Sequence, residues 1–287
     1  MMKPLLVVRS RWLFAGACFS MLVAGPQAAF AHRSSARPVS ELLVDAANGT
    51  VIFAAQPDAL QRPASLTKMM ALYLVFDALE AGRIQLGDAL TFSRKAARQQ
   101  PSKLGIAAGK TLSVRDAVQA MAVHSANDVT VAMAERLGGS ESKFAALMTV
   151  KARQLGMSKT HFANASGLTS PGNQTTARDM TTLALALLRN HPREYAVFGT
   201  RSIVWRKRRI ANHDHLLGRV QGVDGIKTGY TVDAGYNIAT SAKRRGVRVI
   251  AVVLGEKSIQ GRDLRVAHLV ELGFARGCGG PRRHGAS

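Results

Sequence analysis

Apolar and polar positions follow two different rhythms along the chain. Residues 41–56, "ELLVDAANGTVIFAAQ", form two apolar runs around Asn48-Gly49. An Asn-Gly pair tolerates the positive φ angles of a tight turn, so this stretch predicts a β-hairpin. A loop with Pro57 and Pro63 follows. Residues 65–82, "SLTKMMALYLVFDALEAG", are apolar on most faces of a helical period and run out at Gly82, which predicts a largely buried helix. Residues 113–139 predict helix in two pieces, interrupted near 125–127, and residues 140–156 and 176–190 predict further helices. Beyond residue 195 the rhythm changes. "RSIVWRK", "GIKTGYT", "GYNIATSAK" and "VRVIAVVLG" are short β-rich runs bounded by glycines, and residues 261–274 predict a closing helix. Strands at both ends of a helical middle predict one α/β domain whose sheet gathers strands from both chain ends.

The first 31 residues read differently. Lys3, Arg9 and Arg11 precede an apolar run, "WLFAGACFSMLVA", too short to span a bilayer comfortably, and "AFA" at 29–31 has the small residues of a cleavage site. Residues 1–31 are therefore expected to be a secretion signal, residues 32–275 the folded domain, and residues 276–287 a basic, glycine-rich tail. No second membrane segment is expected, and cleavage would leave no stable membrane anchor, so the protein is expected to be secreted or periplasmic. The remaining chain has one cysteine, Cys278, which rules out an internal disulfide.

Charge sharpens the choice of partner. The chain has 39 Lys and Arg against 18 Asp and Glu, a net +21. Without the three cations of the signal the balance is 36 − 18 = +18. Such a field attracts polyanions. Export argues against nucleic acid, leaving an anionic cell envelope as the better partner.

Candidate chemistry starts at Ser65 and Lys68, three residues apart at the start of the buried helix. A serine hydroxyl needs a base to remove its proton, and lysine serves only when its pKa is lowered by burial or by a neighbouring cation. Positions i and i+3 share a helix face, so Lys68 can reach Ser65. The helix N-terminus also favours developing negative charge. Spacing alone decides nothing, because Ser140 and Lys143 repeat it. Ser140, however, follows Gly138-Gly139 and precedes Glu141, the pattern of an ordinary N-cap. Two further stretches separate the pairs: Ser125-Ala126-Asn127 at the helix interruption, and Lys227-Thr228-Gly229 in a β-rich run. S-x-x-K, then an S-x-N triplet, then K-T-G is the ordered signature of penicillin-recognising enzymes. Ser140 follows the triplet and so falls out of order.

On these motifs, and on "VDGIKTGYT", "AGYN", "RVIAVVLG" and Gly261-Arg262, the chain resembles the serine-type D-alanyl-D-alanine carboxypeptidases, the low-molecular-mass penicillin-binding proteins, from about residue 38 to 274. The resemblance implies a serine β-lactamase/transpeptidase-like α/β fold, with a mainly antiparallel sheet flanked by helices and a helical insert. It implies removal of terminal D-alanine from peptidoglycan stem peptides, with β-lactams as covalent inhibitors and no cofactor. Residue by residue, it makes Ser65 the acylated nucleophile, Lys68 its base and Ser125 the proton relay to the leaving group. Asn127 would bind the substrate amide, Lys227 would supply charge and keep Lys68 neutral, and Thr228 would contact substrate. Gly229 completes that motif. Backbone N–H groups of Ser65 and Tyr230 would form the oxyanion hole, and Arg262, expected near the surface, would pair with the terminal carboxylate. Tyr230 stands where many relatives have His. The chain stops at Ser287 and is read as a short form without the second β-rich domain and amphipathic helix of many relatives, some short forms being endopeptidases.

Other readings weaken on inspection. His213-Asp214-His215 resembles a metal pair, but nothing nearby in sequence completes a zinc site. His124 beside Ser125 lacks the G-x-S-x-G elbow of a Ser-His triad. No acid between Ser125 and Lys227 stands in the E-x-x-L-N context of a class A β-lactamase. "WRKRR" at 205–209 reads as a strand or turn with solvated cations rather than a nucleic-acid patch.

Overall fold

The computed structural model describes residues 38–276; the signal expected over residues 1–31 and Cys278 lie outside the described residues. The chain opens with the predicted hairpin, β1 (Ser40–Asp45) and β2 (Val51–Ala55), closed by Gly49 at a φ of 76°. A single 3-10 turn, Ala64–Leu66, leads into α1 (Thr67–Glu80). Short elements follow: β3 (Ala89–Thr91), α2 (Arg94–Ala97), β4 (Thr111–Ser113) and α3 (Val114–Gln119). The expected two-piece helix over 113–139 is more broken than its pattern suggests. After α3 the chain widens into a π-helical turn, Ala120–His124, passes Ser125 in a left-handed conformation, and restarts as α4 (Asn127–Gly138). Then come α5 (Glu141–Gln154), α6 (Ala177–Asn190), β5 (Ser202–Trp205), β6 (Arg208–Ala211), β7 (Val223–Thr231), β8 (Gly235–Arg244), β9 (Val247–Glu256) and α7 (Ile259–Ala275).

Five strands form one antiparallel sheet in the order β2-β1-β9-β8-β7. It collects strands from both ends of the described chain, as the run of apolar segments implies. Successive side chains on a strand point to opposite faces, and the sheet is covered on both. Leu42 and Val44 of β1, with Ile250, Val252 and Leu254 of β9, join the core built around α1. Leu43, with Val249, Ala251 and Val253, packs instead against Val266, Leu269 and Val270 of α7. This two-sided burial explains why β9 reads as an unbroken apolar run rather than an alternating one.

α1 lies inside the first core, surrounded by the helical insert. Met69, Met70, Leu72, Val75 and Phe76 are all buried, as is Lys68. A helix buried over most of its surface needs no broad polar face, which accounts for the uniform apolarity of residues 69–76. Phe76, 1% exposed, meets the rings of Phe198 and His191 edge-on. Phe76→Ala is expected to cost about 3–5 kcal/mol of stability, the usual range for truncating a buried aromatic. Leu264→Ala, at a side chain 73% exposed, is expected to stay within about 0.5 kcal/mol. Denaturant unfolding of both variants checks the contrast.

Candidate active site

Ser65 sits half-buried in the turn that starts the central helix. The loop before it is held from two sides. Arg62 Nη1 donates to the carbonyls of Pro171 and Asn173, each at 2.6 Å. Asn237 Nδ2 donates to the carbonyls of Arg62 at 2.8 Å and Pro63 at 3.2 Å, while its Oδ1 accepts the Gly255 N–H at 2.8 Å. The β8–β9 register shifts between Tyr236 and Ile238, beside the Gly255 N–H that Asn237 receives. The clamps hold Ala64 at a φ of 48°, a left-handed conformation that a side-chain-bearing residue adopts at a cost. Gly167, at a φ of 81°, lies against it so closely that a Cβ would fall 1.9 Å from the Ala64 carbonyl oxygen.

One helical turn on, Lys68 is fully buried. Its Nζ lies 3.3 Å from Ser65 Oγ, 2.7 Å from Asn127 Oδ1 and 2.7 Å from the Ser166 carbonyl. Burial, and then the charge of Lys227, hold its pKa well below the ordinary lysine value. The Asn127 amide donates to the Gln100 carbonyl at 2.9 Å and the Pro101 carbonyl at 3.2 Å. Both ends of that amide are thus engaged within the chain, which makes Asn127 a positioning group for Lys68 before any contact with substrate. Ser125, at a φ of 59° between the π-helical turn and α4, brings a buried Oγ with no hydrogen-bond partner to the cleft wall.

The opposite wall is β7, the edge strand of the sheet. Lys227 is buried and donates to the Thr228 carbonyl at 3.0 Å. Burial lowers its pKa to about 7, against the pull of Asp214, which raises it, and with a smaller push from Arg262. Gly229 passes the start of α1 so tightly that a Cβ there would lie 2.9 Å from the Ser65 nitrogen and 3.2 Å from Ala64 Cβ. The glycine therefore lets the strand lie directly on the backbone N–H of Ser65. Tyr230 is half exposed and stacks on Tyr236, ring centroids 4.3 Å apart. Arg262 departs from the near-surface placement expected for it. It is only 4% exposed, because it falls in the first turn of α7 facing the cleft, and its Nε and Nη2 donate to Asp263 Oδ1 at 2.9 and 2.6 Å.

Ser65, Ser125, Asn127, Thr228, Gly229, Tyr230 and Arg262 line one cleft of about 620 Å³, with Lys68 and Lys227 buried beside it. The decoy pair lies elsewhere in role: Ser140 caps α5 by accepting the Lys143 N–H, and Lys143 is exposed. His213 and His215 also line the cleft, but Asp214 between them is buried, and no group of three or more His, Cys, Asp or Glu is placed to hold a metal ion among the described residues.

Several contributors escaped the motifs. Ser166 acts through its backbone, which carries no sequence signal. Asp128 receives the N–H groups of Leu104, Gly105 and Ile106 at 3.1, 2.9 and 3.4 Å and so fixes the loop that also supplies Pro101 and Ser102 to the cleft. Asn237 stands inside "AGYN", a string that marks the resemblance without revealing its role. Burial raises the pKa of Asp214 to about 6 beside Lys227.

A serine hydroxyl thus lies beside a buried amine of lowered pKa, at a helix start and under a strand edge. The model of the D-alanyl-D-alanine carboxypeptidase family matches residues 27–258, and the chain belongs to that family. It is 36% identical over 275 residues to the D-alanyl-D-alanine carboxypeptidase DacC of Escherichia coli, covering 92% of this chain and 68% of that one. It is 36% identical over 239 residues to the D-alanyl-D-alanine carboxypeptidase DacA of Haemophilus influenzae, covering 82% of this chain and 61% of that one. The chain thus spans between three-fifths and about two-thirds of these relatives. Penicillin-Binding Protein D2 from Listeria monocytogenes in its cefotaxime-bound form superposes with a TM-score of 0.75 at 32% identity, covering 82% of this chain and 96% of that one.

The packing at Gly229 yields a direct expectation. Its φ is ordinary, so Gly229→Ala adds no backbone strain, but the new Cβ must push β7 away from Ser65. On the oxyanion role expected for the Ser65 N–H, displacing it should slow acylation by roughly 100-fold. Stability should fall by about 1–3 kcal/mol, as for other overpacked sites. Stopped-flow acylation and thermal unfolding of the variant measure the two effects separately.

Proposed function

We propose that this protein is a serine D,D-carboxypeptidase that removes the terminal D-alanine of peptidoglycan stem peptides through an acyl-enzyme on Ser65, and that penicillins acylate the same serine. The observation that carries this reading is Lys68 Nζ, fully buried and 3.3 Å from Ser65 Oγ. An uncharged amine has two N–H donors and one lone pair. The carbonyl oxygens of Asn127 and Ser166 account for both donors, leaving the lone pair for the serine hydroxyl.

The chemistry then runs as follows. Ser65 Oγ attacks the carbonyl carbon of the penultimate D-alanine while its proton passes to Lys68 Nζ. The carbonyl oxygen, now negative, sits between the N–H groups of Ser65 and Tyr230. The C–N bond breaks as the leaving amine takes a proton relayed by Ser125, whose unpartnered Oγ faces the cleft. Water then attacks the ester carbonyl, the bond from that carbon to Ser65 Oγ breaks as Oγ takes one of the water's protons, the other proton passes to solvent, and the shortened peptide leaves as a carboxylate. Lys227 and Arg262 give the cleft the positive charge that a substrate ending in a carboxylate requires. Efficient β-lactam turnover is not supported. The loop over Lys68, residues 164–174, contains no Asp or Glu, and the neighbouring Glu141 is tied to Lys95 at 2.7 Å and to the Ala165 N–H at 3.3 Å. The signal expected at the N-terminus supports action outside the cytoplasm, and no helix among the described residues is long and apolar enough to cross a membrane.

Incubation with a pentapeptide and with a cross-linked dimer, followed by mass analysis, tests the activity: release of D-alanine from the pentapeptide is expected, and cleavage of the dimer alone would replace the carboxypeptidase reading with an endopeptidase one. Labelled penicillin should add its mass to a Ser65 peptide. Ser65→Ala should abolish the adduct and Ser140→Ala should leave it; an adduct surviving Ser65→Ala would refute the assignment.

The acid side of the acylation profile should report Lys68, which must lose its proton to act. Acylation should therefore fall as pH drops through its lowered pKa. Lys227, with a pKa of about 7, is charged through the range below neutrality, and its charge helps to depress Lys68. Lys227→Ala should move the acid limb to higher pH. A limb unmoved in that variant would show that burial alone sets the base.

A further inference from the structure

One side of the cleft carries far more positive charge than a single stem peptide can use. Residues 93–110 contain Arg94, Lys95, Arg98, Lys103 and Lys110, and residues 200–212 contain Arg201, Arg206, Lys207, Arg208 and Arg209; neither segment has an Asp or Glu. All ten are exposed except Lys103, which is half-buried. Only Lys95 is spent on an ion pair, with Glu141. The two segments touch, Trp205 Nε1 donating to the Leu104 carbonyl at 3.2 Å. Both reach the cleft wall: Pro101 and Ser102 from the first, Ala211 and Asn212 from the second. The two basic segments therefore meet beside the cleft that Ser65 lines, and their shared margin is a basic rim.

A second observation concerns the hairpin tip. The turn between β5 and β6 consists of Arg206 and Lys207, with φ angles of 47° and 65°. Asn-Gly suits such a turn, and a residue with a Cβ is disfavoured at both positions. Two adjacent cations hold the position against that preference, and Arg208 and Arg209 extend the charge along β6.

We propose that this rim is a docking surface for the anionic peptidoglycan polymer, binding the carboxylates of stems that neighbour the one in the cleft. The inference rests on the substrate class proposed above. Every stem, cleaved or not, ends in a carboxylate, and a polymer with one stem in the cleft must lay the next along its margin. Continuity of the rim with the cleft favours the polymer that carries the substrate over a separate phosphate-rich polymer. The interaction is electrostatic and exposed, so salt screens it over about 10 Å at 0.1 M.

The test compares the wild type with Lys207→Glu/Arg208→Glu, and with Arg83→Glu/Arg115→Glu as an equal charge change at exposed sites beside the far end of α1. Binding is read by co-sedimentation with insoluble peptidoglycan stripped of phosphate polymers, in a Ser65→Ala background so that turnover plays no part. The rim variant should bind at least about tenfold more weakly at low salt, the far-end variant should bind like wild type, and high salt should bring wild type down to the rim variant, as expected of charge-driven association. With Ser65 restored, kcat/KM on a soluble pentapeptide should stay within about twofold in the rim variant while activity on the polymer falls. Equal binding by the rim and far-end variants, salt-independent binding, or wild-type binding only to walls that retain phosphate polymers would each overturn the proposal. Absence of both D-alanine release and penicillin labelling in the wild type would instead defeat the activity reading, leaving the sedimentation result to be judged on its own.

Discussion

A lysine buried so that its pKa is held well below the ordinary value is the constraint on which the rest of this structure turns. Placing an ammonium ion in an apolar interior costs several kcal/mol even after relaxation, and the usual escape is to shed the proton. Lys68 is held where that escape is the useful outcome. Its carbon stem lies on the mostly buried first half of a central helix, and its nitrogen emerges one turn from Ser65. An exposed lysine at the same spacing, Lys143, keeps company with a serine that merely caps a helix. The two pairs share a pattern and differ in burial, and burial decides which amine can act as a base.

Holding that amine requires segments far apart in sequence to meet with little slack. Asn127 reaches Lys68 across 59 positions and the Ser166 carbonyl across 98. Each of these segments is itself clamped: the 100–106 loop by Asp128 and the Asn127 amide, the turn before Ser65 by Asn237 and Arg62, the 164–167 turn by Asn164 Oδ1, which accepts the Gly167 N–H at 2.7 Å. Two glycines make the convergence sterically possible, Gly167 against Ala64 and Gly229 against Ser65. The left-handed residues near the site, Ala64 and Ser125, are where this crowding is absorbed by the backbone.

The sequence is informative where a feature depends on local pattern. The β1–β2 hairpin follows from Asn48-Gly49, the buried central helix from its uniform apolarity, and the cleft-edge strand from K-T-G between glycine-bounded runs. The ordered motifs also point to the residues that the fold gathers around the cleft. What stays illegible is whatever depends on a partner distant in the chain. Ser166 contributes a carbonyl that any residue would supply. Asp128 reads as one more acid until the three N–H groups it receives are seen, and Arg262 reads as a surface cation until the first turn of α7 is seen to face the cleft. The β5–β6 turn defeats turn chemistry altogether, since Arg206-Lys207 occupies positions where propensity asks for Asn or Gly.

The electrostatics of the cleft link substrate to base. Lys227 has a pKa of about 7, because burial and, less, Arg262 push it down while Asp214 holds it up. Asp214 is itself raised to about 6 by burial, so it is a counter-ion whose charge fades as pH falls. On the proposed reading, a stem peptide brings a carboxylate to Lys227 and Arg262. A negative charge there favours the protonated form of Lys227, and a protonated Lys227 disfavours the protonated form of Lys68. The substrate's own charge thus acts in the direction that frees the base, through two buried amines of opposite duty: one that gains by holding its proton and one that works only without it.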